Sequence, residues 1–295
     1  TIFRKEHPGR RKRADAQFRP GVFCRKYIIT MVKEFDNKNY WVVILGGSSG
    51  LGLVAAKKLA AHGCHIIILH RSRKADLENI EQEFTALKAI GADVLTINED
   101  ALQPAKRETI VQAILQRLGK QGKIRALIHS IAKGNLKPMV AEETPVLQND
   151  DFHFTLDAMA ISLYDWTKIL FEQRLFATDA RIISFTSEGN TKALKNYAAV
   201  SAAKAALEAI TRNIALEFAP YGIKANCVQA GVTDTASFRM IPGHEKIKEH
   251  SLNRNPSKRL TTPEDIANVV YLLCKDEAAW INGSTIIADG GEHIN

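Results

Sequence analysis

Residues 42–52 read Val-Val-Ile-Leu-Gly-Gly-Ser-Ser-Gly-Leu-Gly, so a short apolar run passes through a glycine-rich turn into a helical pattern. Glycine permits the left-handed backbone of a tight turn and lets a ligand approach the main chain closely. The N-terminus of the helix that follows offers unpaired N–H groups and a positive dipole end to a phosphate. This order of strand, turn and helix predicts a cradle for the pyrophosphate of a dinucleotide.

The same alternation of short apolar runs and helical patterns continues to the end of the chain. It predicts strands at residues 40–45, 64–69, 93–97, 125–129, 181–185, 223–229 and 284–288, and helices near 51–62, 75–90, 105–118, 152–177, 196–218 and 263–274. Near-continuous apolar strands that alternate with helices are typical of a parallel sheet covered on both faces. We therefore predict an α/β fold, a doubly wound parallel sheet of the Rossmann type in a single domain.

Two segments depart from this alternation. Residues 1–30 hold nine Lys or Arg and two acidic residues, so most of the net charge of +8 lies there. We predict a basic, disordered extension over residues 1–35, ahead of the Rossmann-type domain at 36–295. Three interpretations of the extension stay open: a transit peptide, a basic arm for an anionic partner, or non-native sequence before a start at Met31. The charged segment 236–258 is expected to be a substrate lid or a mobile surface loop.

Composition limits the classes of protein to which the chain can belong. No apolar run approaches the ~20 residues of a membrane helix, so no membrane association is predicted. The four cysteines are widely separated and form no Cys-x-x-Cys. This usage is typical of reduced thiols in a cytoplasmic protein. The cluster His62-Gly-Cys64-His65 is interpreted as a helix end, a turn and a strand start, and no metal site is expected.

Tyr197 and Lys204 are candidate catalytic residues in an alanine-rich helical run. Their spacing of seven residues is nearly two helical turns, so both side chains project from one face of one helix. A cation near a phenol favours the phenolate, so we expect Lys204 to lower the pKa of Tyr197 and to make it a better proton donor. The alternative is a helix with an incidental tyrosine and a solvated lysine.

The spacing Gly-x-x-x-Gly-x-Gly resembles that of the short-chain dehydrogenase/reductase family, and the resemblance extends over roughly residues 38–295. Further matching motifs stand at predicted strand ends: Asn98-Glu-Asp-Ala, His129-Ser-Ile-Ala, Ser184-Phe-Thr-Ser, residues 226–235 and residues 283–291. The chain departs from the family at Leu45, where a Thr is usual. The carboxyl ends of strands are where open α/β sheets bind ligands.

The resemblance implies a nicotinamide dinucleotide cofactor and a set of residues that hold it. Asp100 and Ala101 are expected to hold the adenine, and the segment from Gly231 lies beside the nicotinamide. The full set of implied cofactor residues is Gly46, Ser48, Ser49, Gly50, Leu51, Gly52, Arg71, Arg73, Asp100, Ala101, Ser130, Ile131, Ala132, Lys204, Gly231, Val232 and Thr235.

The end of the second predicted strand bears on the choice between NADPH and NADH. It reads His70-Arg-Ser-Arg-Lys74, without the acidic residue that binds the ribose 2′-hydroxyl of NAD. Arg71 and Arg73 are instead suited to pair with the 2′-phosphate of NADPH. We therefore predict NADPH rather than NADH. The alternative is an ordinary basic surface loop.

The spacing of Tyr197 and Lys204 also bears on the reaction. Most carbonyl-reducing members of the family have Tyr-x-x-x-Lys, but Val200 stands at that tyrosine position here. The spacing Tyr-x6-Lys resembles the enoyl-acyl-carrier-protein reductases, and the local sequence resembles most the NADPH-using third bacterial class. This resemblance implies reduction of the C2=C3 bond of 2-enoyl thioesters in fatty-acid synthesis. Tyr197 would hydrogen-bond or protonate the enolate, and Lys204 would bind the nicotinamide ribose and stabilise charge.

Two further positions refine this expectation. Met159 stands where carbonyl-reducing members have the Asn of a proton relay, which disfavours a ketoreductase. Ser187 falls at the usual active-site serine position, 17 residues before Lys204. Its expected role is a hydrogen bond to substrate or a cap of the strand end.

The resemblance implies an enoyl thioester carried on the acidic acyl-carrier protein, and a homodimer or homotetramer formed through the helices near 152–177 and 196–218. A basic docking surface is expected from Lys133, Lys137, Lys192, Lys195, Arg254 and Lys258, although these are equally consistent with scattered solvated charges. Two other functions stay open. One is a carbonyl or 3-oxoacyl reductase with an atypical site. The other is a non-catalytic, cofactor-sensing protein whose extension holds nucleic acid, which the intact Tyr197 and Lys204 pair disfavours.

Overall fold

The computed structural model describes residues 33–295, and the predictions for residues 1–32 lie outside this range. Within it, seven parallel strands form one sheet in the order β3-β2-β1-β4-β5-β6-β7. The strands are β1 (Tyr40–Leu45), β2 (His65–His70), β3 (Val94–Asn98), β4 (Lys123–His129), β5 (Phe176–Ser187), β6 (Ile223–Ala230) and β7 (Thr285–Ala288). The predicted doubly wound α/β fold is confirmed.

Helices cover both faces of the sheet. They are α1 (Gly50–Ala61), α2 (Leu77–Ala89), α3 (Pro104–Leu118), α4 (Asn149–Leu156), α5 (Ser162–Glu172), α6 (Ala198–Glu217), α7 (Ala236–Arg239), α8 (His244–Arg254) and α9 (Pro263–Cys274). Alternate residues of each strand point to opposite faces. In β1, Val43 belongs to a buried apolar cluster with Trp166 of α5, and Ile44 belongs to a second cluster with Leu59 of α1. Each layer therefore has its own apolar core.

The predicted helix over residues 152–177 is wrong in two respects. A π-helical turn at Asp157–Ile161 separates α4 from α5, and α5 ends at Glu172. Arg174 has a positive φ of 55°, which ends the helical path, and Phe176 then pairs with Ile124 as the first residue of β5. The prediction extended too far because Leu175 and Phe176 stand at positions where the helical pattern also expects apolar residues. The sequence pattern of the helix therefore overlaps the start of the strand.

Two buried arginines attach α9 to β4 and β5. They lie towards the amino ends of these strands, whereas the glycine-rich turn lies at the carboxyl ends. Arg125 donates to the carbonyl of Cys274, at 3.0 and 2.7 Å, and Arg181 donates to that of Leu273 at 2.9 Å. Both guanidinium groups are almost fully buried and pair with Asp179. They satisfy carbonyls that a helix C-terminus leaves without intrahelical partners.

Membrane-spanning helices were considered for the described part of the chain. None of the helices between residues 33 and 295 has both the length and the apolar character needed to cross a bilayer.

Candidate active site

The carboxyl ends of β1, β4, β5 and β6 open onto a cleft of about 840 Å³. It lies where the strand order reverses between β1 and β4, which is where ligands bind in sheets of this kind. The sequence-predicted residues that line it are Gly46, Ser48, Ser49, Gly50, Leu51, Arg71, Asp100, Ala101, Ser130, Ile131, Ala132, Ser187, Tyr197, Lys204, Gly231, Val232 and Thr235. Gly52 and Arg73 are not among the residues that line it.

The glycine-rich turn packs directly against the end of β4. Gly46 has a φ of +83°, and a Cβ atom there would lie 2.6 Å from the carbonyl oxygen of Ser130. Gly52 lies behind the turn, where a Cβ atom would lie 2.5 Å from the carbonyl oxygen of Gly46. Ser49 is the N-cap of α1, and its side chain makes no capping bond to the helix in the described structure. The first N–H groups of α1 therefore suit an anion such as a pyrophosphate.

Arg71 and Arg73 lie in different places at the end of β2. Arg71 lines the cleft and pairs with Asp100, with 3.0 Å between Nη1 and Oδ2. Arg73 is exposed and precedes a short 3-10 turn. Between them, Ser72 accepts or donates a hydrogen bond of 3.4 Å with Ser48 of the glycine-rich turn. One of the two predicted arginines is thus at the cleft.

Asp100 has partners that fix its side chain at the cleft wall. Its Oδ1 accepts the N–H of Leu102 at 3.0 Å, and its Oδ2 lies 3.5 Å from Lys133 Nζ. Burial acts to raise the pKa of this carboxyl, but the Leu102 N–H and the charges of Lys133 and Arg71 lower it overall. Asp100 is therefore an anion there.

The segment after β6 forms the opposite wall of the cleft. Gly231 has no room for a side chain, because a Cβ atom would lie 2.5 Å from Thr261 Oγ1. The N–H of Val232 donates to Glu292 Oε2 at 3.3 Å. Thr235 Oγ1 accepts the N–H of Phe238 at 3.2 Å and so caps α7. The backbone of this segment is thus held close to the cleft.

Tyr197 and Lys204 both lie in the cleft, as the spacing predicts. Tyr197 is the N-cap residue of α6 and is 9% exposed. Lys204 lies in the second turn of the same helix, and its Nζ donates to the carbonyl oxygen of Phe185 at 2.6 Å. This contact carries the lysine towards the end of β5 rather than towards the phenol.

The expected lowering of the pKa of Tyr197 is wrong. Burial raises the pKa of Tyr197, and the nearby Ser187 hydroxyl only partly opposes that rise. Burial also lowers the pKa of Lys204 to about 8, and interactions with Cys227 and Glu208 oppose this change. Tyr197 is thus a neutral phenol at neutral pH, able to donate its proton, because burial disfavours the phenolate.

Ser187 ends β5 beside Tyr197. Its hydroxyl is buried and makes no hydrogen bond of normal geometry with any described residue. It does not cap the short turn Glu188–Asn190 that follows. The strand-end cap expected as one alternative is therefore not formed, and the hydroxyl is available to an atom that enters the cleft.

Met159 lies in the π-helical turn and lines the cleft. It packs in one apolar cluster with Tyr197 and Val200, while Leu136 and Ile241 extend that cluster. Single π-helical turns are frequent at functional sites. The surroundings of Tyr197 on this side are thus apolar, and they suit a hydrocarbon chain more than a polar relay.

The segment 236–258 forms helices α7 and α8, which line the outer wall of the cleft. Arg254, the last residue of α8, reaches Glu188 and also lies 3.5 Å from Glu292 Oε1. Sequence reasoning assigned no role to Glu188 or to Glu292. No local pattern identifies them, because Arg254 and Glu188 are brought together from positions 66 residues apart. Whether the segment moves as a lid stays a prediction.

The expected basic docking surface is largely neutralised by carboxylates of the same chain. Lys133 pairs with Asp100, Lys137 with Asp151, and both Lys192 and Arg254 with Glu188. These pairs lower the net positive charge around the mouth of the cleft. They support the alternative reading of separate, locally paired charges at those four positions.

Comparisons with known proteins agree with this architecture. Residues 46–293 match the family model described as Enoyl-(Acyl carrier protein) reductase. The chain belongs to the short-chain dehydrogenase/reductase family. Within the matched range, Tyr197, Lys204 and the glycine-rich turn line one cleft.

Several members of this family resemble the chain over most of its length. The peroxisomal 2,4-dienoyl-CoA reductase of Mus musculus is 29% identical over 84% of this chain and 82% of its own. The dehydrogenase/reductase SDR family member 4 of Sus scrofa is 24% identical over 88% of both chains. The crystal structure of the enoyl-[acyl-carrier-protein] reductase (NADH) of Aquifex aeolicus VF5 matches with a TM-score of 0.75 and 22% identity, over 88% of this chain and 98% of that one.

Membership of the short-chain dehydrogenase/reductase family defines the general activity. The chain is an NAD(P)H-dependent oxidoreductase with an enoyl-acyl-carrier-protein reductase-like domain. The glycine-rich turn leaves no room for side chains at Gly46 and Gly52, and thus fits a dinucleotide that lies against the backbone.

Proposed function

We propose that this protein reduces the C2=C3 double bond of 2-enoyl thioesters with NADPH, in fatty-acid synthesis. The observation that carries the proposal is the position of its proton donor. The hydroxyl in the cleft belongs to Tyr197 at the N-terminus of α6, and Val200 fills the place three residues further along. A donor displaced by nearly one turn suits an oxygen that lies three bonds from the carbon that accepts hydride, rather than one bond as in the reduction of a carbonyl.

The reaction assigns separate roles to the residues of the cleft. Bound NADPH supplies a hydride to C3, and the electron pair of the double bond moves so that negative charge develops on the thioester oxygen. Tyr197, whose pKa is raised by burial, donates a hydrogen bond or its proton to that oxygen. We assign to Ser187 a hydrogen bond to the same oxygen, and a proton taken from solvent adds to C2 as the enolate collapses to the saturated thioester. Lys204 holds the ribose hydroxyls of the cofactor and supplies positive charge.

The apolar side of the cleft supports an acyl substrate. Met159, Val200, Leu136 and Ile241 surround Tyr197 with hydrocarbon. Such a surface binds an acyl chain and excludes water from the enolate, which strengthens the hydrogen bond from Tyr197. It also lacks an amide at Met159, which weighs against a carbonyl reductase of the usual kind.

Arg71 supports the choice of NADPH. Arg71 and Ser48 both line the cleft, and Ser72 donates a hydrogen bond to Ser48, so a 2′-phosphate on the adenosine ribose would find charge and hydroxyl donors there. Asp100 already pairs with this arginine, so a phosphate would share or replace that partner. Steady-state rates with NADPH and with NADH measure the cofactor preference. A clear preference for NADH would contradict the choice of NADPH.

A second candidate substrate is a 2,4-dienoyl-CoA. The observation that favours it is the similarity to the peroxisomal 2,4-dienoyl-CoA reductases of Mus musculus and Rattus norvegicus, 29% and 28% identical over 84% of this chain. The paired charges at the cleft mouth also remove part of the reason to prefer acyl-carrier protein over coenzyme A. Carrier protein remains our first choice because the family model that matches is described as a reductase of such substrates.

We also propose that the protein is a homodimer or homotetramer formed through α4, α5 and α6. Phe154, Ile161 and Tyr164 leave apolar surface on this face, with 39–42% of each residue exposed. Burial of these side chains against a second copy would remove that surface from water. Light scattering after gel filtration measures the assembly, and a monomer at micromolar concentration would contradict it.

The decisive experiment follows NADPH oxidation with crotonyl, 2,4-hexadienoyl and acetoacetyl thioesters, each as the coenzyme A and the carrier-protein form. We expect turnover of the crotonyl thioester with formation of the saturated product. Turnover of acetoacetyl thioester alone would refute the enoyl assignment in favour of a carbonyl reductase. Turnover of the dienoyl thioester alone would establish the second candidate. Binding of NADPH without turnover of any of the three would instead support a cofactor-sensing protein.

A further inference from the structure

Glu208 is a part-buried carboxylate on α6, one helical turn after Lys204, to which the proposed reaction gives no role. Its Oε1 accepts the hydroxyl proton of Thr186 at 2.6 Å and also accepts a hydrogen bond from the side-chain amide of Asn190. Both partners belong to residues 185–190, which we call the β5 exit because the chain leaves β5 there. Glu208 thus ties the β5 exit to the catalytic helix.

Two other side chains of α6 hold the same segment. Lys204 donates to the carbonyl oxygen of Phe185, and Ser201 Oγ donates to that of Gly189. Ser187 lies between these points and makes no hydrogen bond of normal geometry with a described residue. The position of Ser187 is therefore set by contacts of the residues on either side of it. Glu208 makes two of these contacts, one to Thr186 before Ser187 and one to Asn190 after it.

The β5 exit packs directly on the phenol of Tyr197. A Cβ atom on Gly189 would lie 2.6 Å from Cε1 of the ring, and the Ser187 hydroxyl is close enough to affect the pKa of Tyr197. A shift of the β5 exit by a fraction of an ångström would thus change the distance between the two hydroxyls. Small displacements of this kind reduce rates in preorganised sites.

Glu208 is also the nearby carboxylate of Lys204. The described titratable groups that interact electrostatically with Lys204 are Glu208, His129 at the end of β4, and Cys227 of β6. Tyr197 stands at the start of the same helix. Burial lowers the pKa of His129 to about 3 and raises the pKa values of Cys227 and Tyr197. All three are consequently neutral at pH 7, so Glu208 alone in this set opposes the loss of the lysine's proton.

We propose that Glu208 is a positioning residue that holds the β5 exit, and with it Ser187, against Tyr197, and whose charge favours the ammonium form of Lys204. For turnover, this inference rests on the proposed function. For cofactor binding it does not, because Lys204 lies in the cleft whatever the substrate is.

The test compares Glu208→Gln, Glu208→Ala and the control Glu217→Gln, which changes an exposed residue of the same helix. Glutamine keeps an acceptor oxygen for Thr186 and Asn190 but removes the charge. The alkaline limit of NADPH binding is the pH above which binding weakens, and cofactor fluorescence measures it. We expect this limit to move about 0.5–1 pH unit lower in both Glu208 variants. We expect kcat for crotonyl thioester to fall roughly 10- to 100-fold in Glu208→Ala with KM little changed, and by less in Glu208→Gln. The control is expected to match the wild type in both measurements.

Each outcome decides part of the inference. An unshifted alkaline limit in Glu208→Gln overturns the charge role, and equal kcat values for Glu208→Ala and wild type overturn the positioning role. Thermal unfolding shows whether Glu208→Ala is folded, and if it is not, Glu208→Gln still decides the charge role. If the wild type binds NADPH but turns over no enoyl thioester, the proposed function fails while the pH dependence of binding still tests Glu208.

Discussion

Arg254 donates from one nitrogen, Nη2, to both carboxylate oxygens of Glu188, at 2.8 Å each. Glu188 immediately follows Ser187, and Arg254 ends α8, so this ion pair joins the outer wall of the cleft to the proposed catalytic strand end. Glu292 lies 3.5 Å from the same nitrogen and accepts the N–H of Val232 through its other oxygen. The outer helix, the catalytic strand end and the segment after β6 are thus held by one chain of contacts.

Arg254→Ala is expected to loosen α8, to leave Glu188 with Lys192 alone as its partner, and to remove the contact between Arg254 and Glu292. We expect a loss of about 1–3 kcal/mol in the free energy of unfolding, as for buried groups that lose a charged partner. We also expect a several-fold higher KM for the enoyl thioester. Arg259→Ala breaks an exposed pair with Asp265 and is the matched control, expected to change stability much less because solvent screens that pair. Equal effects of the two substitutions would show that the Arg254 pair has no special role at the cleft.

Tyr197→Phe removes the proposed proton donor and keeps the ring that packs against Met159 and Val200. We expect kcat to fall roughly 10²- to 10⁴-fold, the range that proton donors contribute to catalysis. The dissociation constant for NADPH should change little, since the phenol is assigned to the substrate. Single-turnover NADPH oxidation and equilibrium binding measure the two quantities. An unchanged rate would remove Tyr197 from the mechanism.

Activity is expected to decline as pH rises through about 8. Burial lowers the pKa of Lys204 to about 8, so the ammonium form that binds the ribose is present below this pH and is lost above it. Lys204→Arg keeps the positive charge at all accessible pH values, since a guanidinium does not titrate there. We therefore expect this variant to be less active but to lack the alkaline limit. A limit near pH 8 that persists in Lys204→Arg would assign it to another group.

Arg71→Ala is expected to weaken NADPH binding roughly 10- to 100-fold, the equivalent of one charge-assisted hydrogen bond to phosphate. Binding of NADH should change by a factor of two or three at most. Lys74→Ala, a nearby exposed charge, controls for the general field. Arg73→Ala should have a smaller effect than Arg71→Ala, because Arg73 does not line the cleft. If NADPH and NADH weakened equally in Arg71→Ala, the 2′-phosphate contact would be excluded.

Features that depend on local sequence could be predicted before the structure. The strands are short apolar runs, and the glycine-rich turn lies between adjacent elements, so both follow from neighbouring residues. Tyr197 and Lys204 share a helix, and their common location in the cleft therefore follows from helical period alone. The helix predicted to reach residue 177 failed where Leu175 and Phe176 extend an apolar period into β5.

Features that depend on the path of the whole chain could not be predicted. Glu292 reaches Val232 only because β7 lies beside β6, and no pattern near residue 292 indicates this contact. The predicted direction of the shift in the pKa of Tyr197 is wrong for a related reason. Spacing shows that a cation lies on the same helix, but the burial that raises the pKa of the phenol depends on the packing of Met159 and Val200 around the ring.

Asp179→Asn tests the ionic cluster that attaches α9 to β4 and β5, remote from the cleft. Burial acts to raise the pKa of Asp179, but hydrogen bonds from Arg181 and Lys224 and the charge of Arg125 lower it well below its usual range. We expect a loss of roughly 2–4 kcal/mol in the free energy of unfolding at pH 7, because removal of the anion leaves the buried guanidinium of Arg181 without its carboxylate and that of Arg125 with Asp276 alone. Because the folded pKa is lowered, this stabilisation is complete above the ordinary pKa of ~3.9 and is lost as pH falls through the folded value. The difference in the free energy of unfolding between variant and wild type should therefore stay constant from pH 7 to about 5 and narrow only below ~4.

Denaturant unfolding at several pH values measures this difference. Asp93→Asn, which breaks an exposed pair with Arg117, is the control and is expected to cost ~1 kcal/mol or less. A cost for Asp179→Asn no larger than that of the control would show that the carbonyls of α9, together with Asp276, hold the two arginines without Asp179.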